Sequence, residues 1–462
     1  MSPRLSLYHG AALFISVAAG TFAIPIRLDA QADTTAASCS APAAARAPSL
    51  DSLERLTLIT NPTVIAAMAR VRAARAQIDP AGARPDPILM AGIQNFPISD
   101  PGFSDVMTMK TVGISQIIPY PGKLALRTRV ARDGLAAAEA RLAQAKLNAT
   151  RDVEDAYYDL AFTARALDIV QRNAGVLRSL IAVSQARYTA GTATQSDVLR
   201  ARTEAARLSD EASRLAAQRR TALARLNALL DRPSDTPVGT ATMPQRIVRA
   251  AVADSATEIH FTGTALGAAA ADSPLLPLDS LQQLTLANSP ALHTHEAMIA
   301  AQTAQVELAR TAARPDFDVS LSYGQRRGFG DLVSATVSVP IPLQKGRKQD
   351  AEVAEARADL AALEAEHDEV VNTLHADIAQ RVNELERSRT QLALYKRAVL
   401  PQAQATLAST TASYQVGRAN FTSVIDAQAE LFNDETAYYR ALTDFAKALA
   451  AVQRLVGTEV LR

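Results

Sequence analysis

The chain has 462 residues, a formal net charge of +1, 21% charged residues, one cysteine and no tryptophan. That length allows two or three ordinary domains or one elongated object. Basic and acidic residues alternate, no Lys/Arg block stands apart and there is no Trp to stack on bases, so composition argues against a nucleic-acid partner; a lone Cys excludes an internal disulfide.

Residues 1–32 read as a signal peptide. Arg4 supplies the positive start, Ala11 to Ile24 an apolar core of 14 residues, and Ala30-Gln31-Ala32 a small-x-small cleavage site. That core is too short to span a bilayer, and no later stretch reaches about 18 apolar residues, so the mature chain is expected to be exported without a transmembrane helix. Residues 33–49 form a linker. Cys39 within it is a lipidation candidate, although Ala36-Ala37-Ser38 before it lacks the usual Leu, which weighs toward an unmodified residue.

From Leu50 onward the chain says one thing twice. Leu50-Asp51-Ser52-Leu53 returns as Leu278-Asp279-Ser280-Leu281, Arg84-Pro85-Asp86 as Arg314-Pro315-Asp316, and Arg187-Tyr188-Thr189-Ala190-Gly191 as Ser413-Tyr414-Gln415-Val416-Gly417. A tandem duplication of this period predicts internal pseudo-symmetry. Repeat 1 spans 50–231. It opens with an amphipathic helix from Ser49 to about Gln77, broken and restarted at Asn61-Pro62. A β-hairpin over 88–118 follows, ended by Pro119-Tyr120-Pro121-Gly122. Lys123 to Tyr188 contains no Pro and reads as a rod of roughly 100 Å at about 1.5 Å per residue. Val153, Leu160, Leu167, Ala174, Ile181 and Tyr188 recur every seven residues, as along a coiled-coil seam. The chain turns at Thr189 to Thr194 and a helix runs back to Leu230, giving a coiled-coil pair over 123–230. Residues 232–277, rich in Ala, Thr, Ser and Pro, are the linker between repeats.

Repeat 2 spans 278–457: a helix from Leu278 to Ala312, a β-hairpin over 317–341, and a coiled-coil pair over 347–456. The pair consists of a rod from Arg347 to Tyr414 with its own seam (Val371, Ile378, Leu385, Leu392, Val399), a turn at Val416 to Asn420 and a returning helix; 458–462 is a tail. In half one, the entry and returning helices together match the rod in length, so two short helices stacked end to end beside one long one would complete a coil.

The strands point to lipid. Phe317, Val319, Leu321 and Tyr323 alternate with Asp318, Ser320, Ser322 and Gly324, and Val333, Ala335, Val337, Val339 and Ile341 alternate with Ser334, Thr336 and Ser338. Strands of about 9–11 residues with this alternation suit a transmembrane β-barrel. A soluble hairpin packing its apolar side on helices is the alternative. Four strands cannot close a barrel, and open edges in lipid leave backbone groups unpaired, so the wall must be shared between chains; three copies would supply twelve strands and a ring of helical rods. The fold class is therefore mostly α with a transmembrane β-barrel.

The stretch Ser413-Tyr414-Gln415-Val416-Gly417-Arg418-Ala419-Asn420-Phe421-Thr422-Ser423-Val424-Ile425-Asp426-Ala427 resembles the periplasmic tip sequence of the TolC family of outer-membrane efflux channels, and Arg187 to Arg202 resembles its counterpart. The resemblance covers both repeats. It implies a homotrimer in the cell outer membrane that projects into the periplasm, with a twelve-stranded barrel above an α-helical tunnel, a periplasmic adaptor and an inner-membrane pump as partners, and a passive duct rather than an enzyme. The segment from Met107 to Lys123 is similar to members serving heavy-metal pumps of the RND class, which makes metal ions or drugs the expected cargo. A periplasmic adaptor or a structural coiled coil remain the alternatives, though neither needs two full repeats with alternating strands.

By the same resemblance, the turns carrying Tyr188, Gly191, Tyr414 and Gly417 would dock the adaptor. The family's gate uses acidic residues just past the second tip: Asp426 matches one such position, Ser423 replaces the other, and half one offers Asp197 and Arg200 at the corresponding places. Threefold rings of Asp426 and Asp197 would favour cations, with Arg200 or Arg418 holding the mouth shut. Equally, an Asp near a helix start suits the helix dipole without any gating role. No catalytic triad, phosphate-cradling loop, CxxC pair or resident metal or cofactor site is read from the sequence. His293, His295, His367 and His375 lack ligand spacing, and Met107 and Met109 share one face of a strand.

Overall fold

The computed structural model describes residues 49–98, 102–103, 105–252 and 276–457, all within the unit Ala47–Arg462. The signal segment, Cys39, residues 253–275 of the linker and the tail from 458 lie outside the described residues.

Repeat 1 begins with α1 (Leu50–Thr60) and α2 (Pro62–Ala76). Asn61 separates them: its side chain accepts the Thr63 N–H at 2.9 Å, while Pro62 occupies the first helical position, where no N–H is needed. A short α3 (Ile78–Gly82) leads to β1 (Ile88–Gln94) and β2 (Met109–Ile118). β1 is shorter than its hydrophobic pattern suggests because Asn95, at φ 56°, leaves the extended region. Then come the 67-residue α4 (Lys123–Thr189) and α5 (Gln195–Leu229).

The linker between the repeats carries a helix of its own. It contains α6 (Gln245–Val252), which buries Ile247 and Ala251 in the main core; eight residues are too few for a helical period to stand out from sequence.

Repeat 2 consists of α7 (Leu278–Asn288), α8 (Pro290–Thr311), β3 (Phe317–Arg326), β4 (Leu332–Ser338), α9 (Gln349–Leu394), a π-helical turn (Tyr395–Val399), α10 (Leu400–Gln415) and α11 (Phe421–Val456). Two single-helix expectations are corrected here. The helix expected over 278–312 is broken at Ser289-Pro290, where the Ser289 hydroxyl accepts the Leu292 N–H at 3.4 Å. This repeats the Asn61-Pro62 device. The rod expected over 347–414 widens into a π turn just before Pro401, which offers no N–H to the carbonyl four residues back.

The two breaks serve the same joint. Asn61 Nδ2 donates to the Leu229 carbonyl at 2.9 Å, and Asn288 Nδ2 donates to the Val456 carbonyl at 3.2 Å. Each returning helix thus ends against the junction of its repeat's two entry helices.

The four strands form one antiparallel sheet in the order β1-β2-β3-β4. They are not two separate hairpins: β2 and β3, from different repeats, pair from Met109↔Arg326 to Ile118↔Phe317. Beneath the sheet, Lys123 at the start of α4 is buried and donates to the Asp316 carboxylate and the Arg314 carbonyl, each at 2.8 Å, while Tyr120 N–H reaches the same carboxylate at 2.8 Å. The second copy of the Arg-Pro-Asp motif, Arg314-Pro315-Asp316, therefore ties a strand entry to the head of a rod. Burial pushes the Asp316 carboxyl up, but the Lys123 and Tyr120 hydrogen bonds outweigh it and hold the group below its ordinary range.

The main core gathers Leu53, Val153, Tyr158, Leu226, Ile378, Leu385, Phe445 and Val452 from both repeats. The expected seam of α4 needs correction. Val153 and Leu160 are buried, but Leu167, Ala174 and Ile181 are only half-buried and Tyr188 is exposed; the buried stripe passes instead through Ala166, Val170, Asn173, Leu177, Leu180 and Ser184. A straight helix drifts about 20° per heptad from a strict sevenfold repeat, and α4 exchanges neighbours along its length. Arg75 of α2 pairs with Glu139, and Arg141 contacts Met298 of α8, whereas the lower half faces α5 and α11.

Candidate site at the helical turns

Both rods reverse through the same backbone device. Gly191 at φ 71° and Gly417 at φ 77° each sit where an L side chain is disfavoured. In the first turn Gly191 N–H reaches the Tyr188 carbonyl at 3.0 Å and Thr192 N–H the Arg187 carbonyl at 2.8 Å; in the second, Gly417 N–H reaches Tyr414 at 3.0 Å and Arg418 N–H reaches Ser413 at 2.9 Å.

The returning helices begin with side-chain caps. Asp197 accepts the Thr194 N–H at 3.2 Å in a capping box, and Asn420 accepts both the Ser423 N–H at 2.8 Å and its hydroxyl at 2.7 Å. Asp197 and Ser423 thus have structural duties at helix starts. Asp426, Arg418 and Arg200 are exposed, and Arg200 donates to the Thr422 hydroxyl at 3.1 Å across the two turns. Among the described residues, neither Arg200 nor Arg418 forms an ion pair with Asp197 or Asp426.

The turns are joined by a residue that sequence reading quoted in a motif but assigned no role. Arg187 donates to the Tyr414 carbonyl at 2.6 Å, with its Cζ 4.5 Å from the centre of the Tyr414 ring, and that ring packs on Phe421 at 5.4 Å. Tyr414 is 4% exposed, whereas its repeat mate Tyr188 is 42% exposed. Burial pushes the Tyr414 phenol up; Arg187 pulls it down and Asp197 adds a smaller upward push.

Above the turns, the rod of repeat 1 is tied to the returning helix of repeat 2. Asn173 meets Gln428 in a buried hydrogen bond, Arg172 pairs with Glu435 at 3.3 Å, Arg165 donates to the Tyr439 hydroxyl at 2.9 Å, and Lys447 pairs with Asp159 at 2.5 Å. Higher still, a cavity of about 300 Å³ is lined by Glu54, Arg151, Glu154, Arg246 and Arg454. Glu154 is 8% exposed there; burial, then the nearby Glu54 carboxylate, push it up to about 8 against the pull of Arg246.

At the opposite end the sheet has two unlike faces. Leu89, Val112, Ile114, Val319, Leu321, Tyr323, Val333 and Val337 share one face and are all exposed, while Ser115, Ser320, Ser322, Ser334 and Thr336 share the other. No helix among the described residues is long and apolar enough to cross a membrane. Among those residues no group of three or more His, Cys, Asp or Glu is arranged to hold a metal ion.

A family model described as outer membrane efflux protein matches residues 53–232 and 281–458. The chain is 27% identical to the cobalt-zinc-cadmium resistance protein CzcC of Cupriavidus metallidurans over 187 residues, 40% of this chain and 44% of that relative's length. It is 25% identical to nodulation protein T of Rhizobium leguminosarum bv. trifolii over 342 residues, 72% of this chain and 68% of the relative. In fold it is similar to the outer-membrane channel OprN, with a TM-score of 0.72 at 21% identity over 88% of this chain and 89% of the other.

Proposed function

The chain belongs to the outer membrane efflux protein family, and from that premise we propose that it is the outer-membrane duct of a tripartite efflux system. Three copies form a twelve-stranded barrel over a helical tunnel and carry cargo delivered by a periplasmic adaptor and an inner-membrane RND-type pump. The observation that carries this reading is the sheet. Among the described residues β1 and β4 are exposed along their whole length, each presents an unpaired edge, and one face is apolar across the middle rows, from Ala91, Val112, Tyr323 and Val333 to Leu89, Ile114, Leu321 and Ala335. Open edges are untenable in hydrocarbon, where each unpaired backbone group costs several kcal/mol, so neighbouring copies must supply the missing pairing.

The duct has no need of catalysis. It needs a polar lumen, provided by the Ser- and Thr-bearing face of the sheet, and a mouth that closes, for which the turns at Gly191 and Gly417 with Asp197, Arg200, Arg418 and Asp426 are the candidates. The adaptor docks on the same turns through Tyr188 and its neighbours. Divalent metal ions are the favoured cargo, because the chain is 27% identical over 187 residues to a cobalt-zinc-cadmium resistance protein; drugs are the second class.

Fractionation with planar-bilayer recording tests the duct: an outer-membrane, heat-labile trimer that conducts is expected, and a soluble periplasmic monomer would replace it with an adaptor or spacer. Loss of the protein is expected to sensitise cells to cobalt, zinc or cadmium rather than to common antibiotics; the reverse pattern would transfer the cargo to drugs.

A further inference from the structure

The rods meet the sheet through two turns that occupy the same place in each repeat and differ in chemistry. In repeat 1 the turn is Pro121-Gly122-Lys123, and its one cation is used within the chain, buried against the Asp316 carboxylate and the Arg314 carbonyl. In repeat 2, Leu343-Gln344-Lys345 separates Pro342 from Gly346, and Arg347 and Lys348 follow. The longer turn is closed by its own backbone: Arg347 N–H and Lys348 N–H both reach the Gln344 carbonyl at 3.0 Å, and Asp350 N–H reaches the Lys345 carbonyl at 3.0 Å. Lys345, Arg347 and Lys348 are all exposed, and among the described residues none of them forms an ion pair.

Apolar groups lead into the same turn. β4 ends at Ser338, and Val339, Ile341 and Leu343 continue the odd-numbered series of Val333, Ala335 and Val337, which lies on the apolar face of the sheet. Ile341 is 76% exposed and Leu343 89%. The apolar face thus runs out into two bare aliphatic side chains and then into three cations, at the end of the sheet from which the rods leave. The next acidic residues along the chain, Asp350 and Glu352, sit in the first turn of α9, where negative charge suits the helix start. In a closed ring the neighbouring copy's Asp86, the counterpart of Asp316, can claim one cation as Asp316 claims Lys123; two per chain remain.

Aliphatic groups followed by unbalanced cations hold anionic lipid at a membrane surface. The aliphatic groups enter the acyl boundary, the cations meet the phosphates, and each cation strengthens attachment about fivefold. Resting on the outer-membrane reading above, we propose that the turn over residues 341–348 is a binding site for anionic phospholipid in the leaflet that faces the rods. Ile341 and Leu343 lie among the acyl chains, and Lys345, Arg347 and Lys348 hold the headgroup phosphate. Three copies place three such sites around the base of the barrel. Each site lies beside the β4 edge where one chain meets the next, so bound lipid also braces the joint between copies. The turn of repeat 1 forms no such site, because Lys123 is committed to Asp316.

The test uses the full-length trimer in vesicles of phosphatidylcholine, with and without phosphatidylglycerol. Phosphatidylglycerol is expected to raise the temperature at which the trimer dissociates. Trimer extracted from the mixed vesicles should retain phosphatidylglycerol in preference to phosphatidylcholine in native mass spectra. Lys345→Gln with Arg347→Gln and Lys348→Gln should lower that retention about tenfold or more and abolish the rise. Lys345→Gln alone should lower it about fivefold, which keeps the test decisive if the triple variant does not insert. Arg178→Gln with Arg219→Gln and Arg220→Gln removes the same charge from exposed rod positions and should preserve both readouts. Wild-type retention in the turn variants, or an equal loss in the rod variant, overturns the lipid site and leaves the trimeric duct standing. A wild-type chain that light scattering finds monomeric and that vesicles do not take up removes the duct, and the site with it.

Discussion

Arg187 lies over the ring of Tyr414 at 4.5 Å and donates to the same residue's carbonyl at 2.6 Å, so one side chain holds the end of one rod to the end of the other. Arg187→Leu keeps the aliphatic bulk and loses both contacts. A cation–π contact and a charge-assisted hydrogen bond are together worth about 2 kcal/mol, so exchange of the amide hydrogens from Val416 to Phe421 should accelerate about tenfold or more. Amides near Leu229 and Val456 should keep their protection. Uniform acceleration along α11 would show that the pair does not act locally.

Asp197 and Asp426 can be separated by chemistry. Asn at 197 can still accept the Thr194 N–H but carries no charge, so Asp197→Asn should leave thermal stability within about 0.5 kcal/mol while weakening cation preference. Asp426 forms no ion pair or side-chain hydrogen bond among the described residues, so Asp426→Lys breaks no contact there and should shift the reversal potential in a KCl gradient toward anions. Unchanged selectivity in both variants would leave these carboxylates as helix-start residues only.

The sheet predicts its own closure. In the chain, Ile114 of β2 faces Leu321 of β3, and through the repeat Val337 corresponds to Ile114 and Ala91 to Leu321. Val337 of one chain should then face Ala91 of the next, with Cα atoms about 4.5–5.5 Å apart, within disulfide reach. In a Cys39→Ser background, Ala91→Cys with Val337→Cys should give a covalent trimer on non-reducing gels, and either change alone should not. Failure to cross-link in an intact trimer would mean another register.

Glu154 gives the folded protein a pH dependence. Its carboxyl sits near pKa 8 when folded and near 4.5 when exposed, so the folded state holds its proton more tightly. The stability linked to that proton is complete below about pH 4.5 and is lost as pH rises through about 8. Glu54, Asp155, Tyr158 and Arg246 surround the group, and Arg246 offsets part of the loss. Melting temperature should therefore fall between pH 6 and pH 9, and Glu154→Gln, which keeps the shape without the proton, should flatten that slope. Parallel slopes in the two proteins would assign the dependence elsewhere.

How much of this could be read from sequence varied with the range of the interaction. The rods, turns and strand alternation are local patterns and could be read directly. Ser289-Pro290 carries the same cap-and-proline signal as Asn61-Pro62, so that break was readable and was missed within an otherwise continuous helical pattern. The π turn before Pro401 was less accessible, because a proline inside a helix predicts a disturbance but not its form. The pairing of β2 with β3 and the reach of Arg187 to Tyr414 join residues about two hundred positions apart, and nothing in either segment names its partner. Asp197 could be read both as a gate and as a cap; its bond to Thr194 N–H gives it the capping duty, which is compatible with a charge role at the mouth.

Among the described residues, β1 and β4 each leave an outer row of amide and carbonyl groups without a strand beside it. Entry into lipid and recognition of sibling chains should therefore be a single kinetic event of high molecularity. A dilute chain should linger at the membrane surface, and the yield of inserted protein should rise more steeply than linearly with its concentration.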